Sequence, residues 1–139
     1  MKVVIDASVA INWVIRQPEA QPNVDQALGV LRCIRNRTIE AIAPAHFHAE
    51  VLAVVARTRP QRVPITFAIL RSAQIEIVAT ETVLRRASDL TIRLQHHLFD
   101  TLYHAVALET GATLVTADQV YFGKAAGLGN IQLLSAFAV

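Results

Sequence analysis

Cysteine is all but missing from this chain. Cys33 stands alone among 139 residues, so no disulfide can close within one molecule, and a reducing compartment suits it. Cys33 falls in an apolar helical pattern, which reads as a packed thiol rather than a nucleophile. Aromatics supply 6% of the chain, with one Trp, too few rings for an extended base-stacking platform. No stretch approaches the roughly 20 apolar residues that a membrane span requires. The opening Met1-Lys2-Val3-Val4-Ile5-Asp6 meets a charge too early to be a secretory apolar segment. Repeats, low-complexity tracts and interdomain linkers are absent as well. These absences predict one domain over residues 1–139, with no membrane association and a cytoplasmic location.

What the chain does have is apolar residues in excess. They make up 53%, against 17% charged, and mean hydropathy is +0.39. That is oily for a soluble monomer and points to a buried subunit interface, hence a homodimer. Thirteen Lys and Arg face eleven Asp and Glu, and eleven of the bases are Arg. Dense stretches fall at Arg32-Arg35-Arg37, Arg57-Arg59-Arg62 and Arg85-Arg86-Arg93. Arginine recognises phosphate through paired hydrogen bonds, although any single one of these also suits a solvated helix face.

Hydrophobic periodicity predicts strands at 2–5, 39–43, 75–78, 113–116 and 131–134, the first ending at Asp6. Helices are predicted at 7–15, 24–35, from Pro44 to about Arg57, at 65–73, from Glu81 to about Leu94, from Phe99 to Glu109, and from Asp118 to about Ala126. Gln17-Pro18-Glu19 and Pro22 break the first helical pattern, and Gly111 ends the helix before it. Strand–helix alternation of this kind implies a three-layer α/β/α sandwich, with a mostly parallel central sheet flanked by helices.

Four acids stand where strands or loops feed helices: Asp6, Glu50, Asp100 and Asp118. In open α/β sheets, ligands bind beyond the carboxyl ends of the strands. Asp6 and Asp118 fall there directly. From Asp100 the helix runs about 14 Å out, and the following strand returns about 13 Å, so Asp100 and Asp118 can meet at one level. Glu50 lies about two turns into a helix that begins at Pro44, and reaches the cluster only if that helix leans over the sheet edge. Each Asp is also a natural helix N-cap, so spacing alone leaves capping open for all three. If the acids do gather, their repulsion raises some pKa values unless a divalent cation is bound. Oxygen-only ligation favours Mg²⁺ or Mn²⁺.

The residues around these acids carry a resemblance. Val3-Val4-Ile5-Asp6-Ala7-Ser8-Val9-Ala10-Ile11-Asn12-Trp13 looks like the start of a PIN-domain toxin of the VapC family. Phe99-Asp100-Thr101-Leu102-Tyr103 and Thr113-Leu114-Val115-Thr116-Ala117-Asp118 resemble that family's C-terminal half. Ala49-Glu50-Val51 falls where the family keeps a glutamate. The resemblance spans nearly the whole chain, and is strongest over 2–15 and 97–123. It implies an endoribonuclease using Mg²⁺ or Mn²⁺ that leaves 5′-phosphate and 3′-hydroxyl ends and inhibits translation and growth; because RNA bases are read mainly in loops and single strands, a structured RNA loop is the expected target. It also implies a homodimer held in a hetero-oligomer by a VapB-type antitoxin. Asp6, Glu50, Asp100 and Asp118 take the catalytic and metal-binding roles by this match. Ser8 and Thr116 take hydroxyl positions that orient carboxylates or water. Two departures stand out: Asn12 replaces a basic residue of many relatives, and no further acid follows Asp118.

Other chemistries fit less well. His46 and Glu50, like Asp100 and His104, are spaced for one helical face, but the H-E-x-x-H motif of a zinc hydrolase is missing. His104 is placed beside the site as a supporting residue. A haloacid-dehalogenase-type phosphotransferase carries a second Asp two residues after the first, where this chain has Ser8. A response-regulator receiver needs an acceptor Asp at a mid-chain strand end, which this chain lacks. The non-enzymatic alternative is a PIN-like domain that only binds RNA or protein.

Overall fold

Five short strands build one sheet, every neighbouring pair parallel, in the order β3-β2-β1-β4-β5. A computed structural model describes residues 1–15 and 23–138. The break expected around residues 17–22 lies outside these. The strands are β1 (Lys2–Ile5), β2 (Glu40–Ala43), β3 (Glu76–Ile77), β4 (Thr113–Thr116) and β5 (Ile131–Leu133). β1 is central. It aligns Val4 with Ile42 of β2 on one side and with Leu114 of β4 on the other. Val3, Val4 and Ile5 are fully buried, which is why three consecutive β-branched residues serve a strand covered on both faces.

Helices α1 (Ala7–Val14), α2 (Val24–Arg35), α3 (Phe47–Thr58) and α4 (Val63–Ala73) connect β1 to β2 and β2 to β3. Helices α5 (Glu81–Leu94), α6 (Leu98–Thr110) and α7 (Gln119–Ala125) serve β3 to β4 and β4 to β5. Right-handed crossovers moving in opposite directions from β1 place the two groups on opposite faces of the sheet. The result is the expected three-layer α/β/α sandwich, its sheet wholly parallel. On the first face, the Trp13 indole N–H donates to the Ala27 carbonyl at 2.8 Å. That bond satisfies the one polar atom of a fully buried ring and locks α1 to α2. On the second, Thr80 caps α5 by accepting from the Val83 N–H at 3.2 Å. Gly111, at φ 73°, closes α6, a conformation that costs glycine little. Cys33 packs half-buried against the core, the inert setting expected of it.

The expected boundaries hold closely, with one consequential exception. Pro44 does not open a helix. The chain first makes a turn in which the Phe47 N–H donates to the Pro44 carbonyl at 3.1 Å, and α3 begins at Phe47. Glu50 therefore lies in the first turn of α3 rather than two turns in, and the helix need not lean to bring it to the sheet edge.

The strand order reverses direction between β1 and β4, which sit side by side although their paired residues, from Val3 and Thr113 to Ile5 and Val115, lie more than a hundred positions apart in sequence. This is the crevice where open α/β sheets take ligands.

Candidate metal centre

The crevice opens where Ile5 ends β1 and Thr116 ends β4. The Asp6 backbone N–H donates to the Val115 carbonyl at 3.2 Å, fixing the first residue beyond β1 against β4. Asp6 stands at the N-cap of α1 but caps nothing with its side chain. Instead its Oδ2 accepts from Ser8 Oγ at 2.9 Å and from Thr116 Oγ1 at 2.5 Å. Ser8 Oγ also accepts from the Ala117 N–H at 3.0 Å, and Thr116 Oγ1 from the Asp118 N–H at 3.0 Å. The two hydroxyls thus stitch the β1 and β4 ends together while presenting Asp6.

Asp118 does act as an N-cap: its Oδ1 accepts from the Tyr121 N–H at 3.0 Å. Asp100 lies in the first turn of α6, whose N-cap is His97. Its Oδ2 faces His96 Nε2 at 2.8 Å. Donor atoms of His96, Asp100 and Asp118 all fall within 4.8 Å of one another. Glu50 Oε1 accepts from the Tyr103 hydroxyl at 3.0 Å and lies 3.4 Å from His46 Nε2. His46 Nε2 also reaches the Phe99 carbonyl at 2.7 Å, next to Asp100.

A common pattern emerges from the four acids. Each has one oxygen held by the protein: Asp6 Oδ2, Glu50 Oε1, Asp100 Oδ2 and Asp118 Oδ1. Among the described residues, none of the four second oxygens receives a protein donor. Aimed carboxylates with a bare oxygen are the donor set a hard divalent cation requires.

Electrostatics tells the same story. Burial pushes the Asp6 carboxyl up from its ordinary 3.8 to about 6, against the hydrogen bonds of Thr116 and Ser8, with the charges of Glu50 and Asp100 adding to the rise. Burial, with the charges of Asp6 and Glu50, holds the Tyr103 phenol far above its usual range, so it remains a hydrogen-bond donor. Tyr121 is raised likewise by burial and then by Asp100, Asp6 and Asp118. Concentrated negative charge with few compensating cations is what these groups report. The residues present therefore fit a hard divalent cation, which would relieve that repulsion.

His104 sits behind the site rather than at the carboxylates. Fully buried, it bonds the Tyr121 hydroxyl through Nδ1 at 2.9 Å and the Gly129 carbonyl through Nε2 at 2.8 Å. Since the carbonyl can only accept, Nε2 carries the proton, and Nδ1 accepts from Tyr121. Burial lowers the His104 pKa, consistent with a neutral ring, and its link to Asp118 runs through Tyr121. His48 packs edge-on against the Phe47 ring, away from His46, so these two histidines form no shared zinc site. Asn12 is buried and donates to the Ser8 carbonyl at 3.3 Å, so its effect falls on the packing of α1.

Sequence reasoning paired His46 with Glu50 by spacing, but did not find Tyr103, Tyr121 or His96 as partners of the acids. For Tyr103 a signal existed: it follows Asp100 by three, on the same helical face. His96 precedes Asp100 by four but lies before the helix begins, where that spacing carries no meaning.

A parallel sheet ordered 3-2-1-4-5, with an acidic crevice at its point of reversal, defines a class. Residues 3–128 match the PIN domain family, and the chain belongs to it. No curated protein sequence matches the chain. Among solved structures, VapBC2 from Rickettsia felis, bound to a DNA fragment from its promoter, is similar with a TM-score of 0.69 at 17% identity, covering 96% of this chain and 97% of that one. A toxin–antitoxin complex from Klebsiella pneumoniae gives 0.68 at 14% identity and 99% of both chains. VapC20 of Mycobacterium tuberculosis, a toxin that cleaves the sarcin–ricin loop, gives 0.67 at 14%, covering 90% and 94%. The chain shares their fold.

Proposed function

We propose that this PIN domain is a metal-dependent endoribonuclease and the toxin of a type II toxin–antitoxin pair. The observation that carries the reading is the set of four acids with one oxygen held and one oxygen bare. Asp6, Glu50, Asp100 and Asp118 would hold Mg²⁺ or Mn²⁺. When bound, the cation supplies a lowered pKa for water and neutralises charge developing at the phosphodiester. The chain's own work is positional: Ser8 and Thr116 fix Asp6, Tyr103 fixes Glu50, and the Tyr121 N–H fixes Asp118. The family resemblance implies products with a 5′-phosphate and a 3′-hydroxyl; such chemistry needs no ribose 2′-hydroxyl, so preference for RNA would come from binding. Unpaired bases are legible to proteins chiefly in loops, which favours a structured RNA loop as the target.

Likeness to toxins solved with their antitoxins supports a VapB-type partner. The acidic crevice would take a basic side chain from it. Phe67, Leu84, Ile92, Phe99 and Val120 remain exposed, apolar surface suited to that partner and to a second copy of the chain. Among the described residues no helix is long and apolar enough to cross a membrane.

Incubating antitoxin-free protein with end-labelled total RNA tests the reading. Discrete fragments that require Mg²⁺ or Mn²⁺, and that vanish with EDTA and in Asp6→Asn, are expected. A folded protein that binds no divalent metal would leave a PIN-like binding module instead.

A further inference from the structure

We infer that His96 and Lys124 form a brace that aims Asp100, with His96 acting as a hydrogen-bond donor and not as a metal ligand. This rests on the nuclease reading and adds two residues to it.

By ligand type alone, His96 with Asp100 and Asp118 makes a mixed nitrogen–oxygen set, its donor atoms within 4.8 Å of one another. Such a set suits zinc or another borderline metal. The hydrogens decide otherwise. Lys124 Nζ lies 3.1 Å from His96 Nδ1, and an ammonium has donors but nothing to accept with. Nδ1 must therefore supply the lone pair. A neutral imidazole then carries its proton on Nε2, and Nε2 faces Asp100 Oδ2 at 2.8 Å. The bond runs from Nε2–H to a carboxylate, which makes it short and strong. Neither ring nitrogen retains a lone pair for a cation.

The brace is itself anchored. Lys124 Nζ also donates to the Gln95 carbonyl at 3.2 Å. Gln95 is the C-cap of α5, in the left-handed region at φ 50°. The Tyr121 ring packs 5.0 Å from that of His96. The end of α5, the start of α6 and the body of α7 therefore meet at Asp100, holding its Oδ2 and leaving Oδ1 bare. Because His96 withholds its nitrogens, the four acids keep an oxygen-only set, and the site keeps its preference for hard cations.

Two measurements on the full chain test the brace. The first is ¹⁵N NMR of the histidine rings in metal-free protein, with the His96→Gln spectrum assigning the signal. A protonated Nε2 and bare Nδ1 are expected; a proton on Nδ1 overturns the brace. The second is calorimetric titration with Mn²⁺ of wild type, His96→Gln, His96→Ala and Lys124→Met, each checked for folding by circular dichroism. His96→Ala should bind about 10- to 100-fold more weakly and Lys124→Met several-fold more weakly, whereas His96→Gln, whose amide can still donate, should stay within about threefold. Wild-type affinity in His96→Ala overturns the brace, and so does a His96→Gln loss equal to that of His96→Ala, the mark of a ring-nitrogen ligand. If wild type itself binds no Mn²⁺, the nuclease reading falls and the brace falls with it. Binding by wild type with unchanged variants removes the brace alone.

Discussion

Thr116 Oγ1 donates to Asp6 Oδ2 at 2.5 Å while accepting from the Asp118 N–H at 3.0 Å. One fully buried hydroxyl thus positions two acids that lie more than a hundred residues apart in sequence. Replacing it isosterically removes both bonds at once. Thr116→Val should lower cleavage about 10- to 100-fold and stability by about 1–3 kcal/mol, since it leaves a backbone N–H without a partner. Thr116→Ser should retain most of both. Single-turnover cleavage and urea unfolding would measure the pair, and a fully active Thr116→Val would remove the hydroxyl from the site.

Glu50 depends on a neighbour in the same manner. Tyr103 is almost wholly buried, so Tyr103→Phe keeps the packing and deletes only the donor to Glu50 Oε1. Mn²⁺ affinity should fall about tenfold, as expected for a hydrogen bond to a charged group, with little change in melting temperature. Unaltered affinity would show that Glu50 is held by His46 instead.

Asp6 makes the metal-free protein sensitive to pH. With its carboxyl raised from 3.8 to about 6, the folded chain binds more protons than the unfolded chain between those values. Stability of the metal-free protein should therefore fall as pH rises from about 4 to about 6, the cost reaching on the order of 3 kcal/mol above that. Asp6→Asn should melt higher than wild type in EDTA at pH 8, and at the same temperature near pH 3. His104 tilts the other way: its lowered pKa costs stability as pH falls below its ordinary 6.5. Both chains share that slope, so the difference between their melting curves isolates Asp6. Equal melting temperatures at every pH would contradict the buried charge.

Neutralising Asp118 separates catalysis from folding. An Asn at 118 can still accept from the Tyr121 N–H through its amide oxygen and so preserve the start of α7. Asp118→Asn should abolish metal-dependent cleavage while its circular dichroism and melting temperature stay close to wild type. Wild-type cleavage by this variant and by Asp6→Asn together would sink the four-acid assignment.

Much of this was legible in the sequence, for identifiable reasons. Val3-Val4-Ile5 and Thr113-Leu114-Val115-Thr116 are short β-branched runs that serve as buried parallel strands, and Glu81–Leu94 is an amphipathic helix with a capping Thr before it. Asp6 and Asp118 were readable because strand ends point at the crevice in any such sheet. Glu50 was misplaced along its helix because Pro44 suits a first helical turn, and only the chain's actual turn through Phe47 decides the matter. His104 shares a helix with Asp100, yet Tyr121 and Gly129 draw it behind the site. The contact of His96 with Lys124 joins the α5–α6 connection to α7, and that of Tyr103 with Glu50 joins α6 to α3; local pattern holds no trace of them.

Sheet order also sets a timetable. Because β1 pairs with β4, Asp6 emerges from the ribosome early and waits for Thr116 and Asp118 before it has neighbours. A nascent chain lacking residues 105–139 carries three of the four acids, and neither the β4 rung nor the hydroxyl that would orient them. The four-acid crevice is thus complete only once Asp118 has been made and β4 has joined β1.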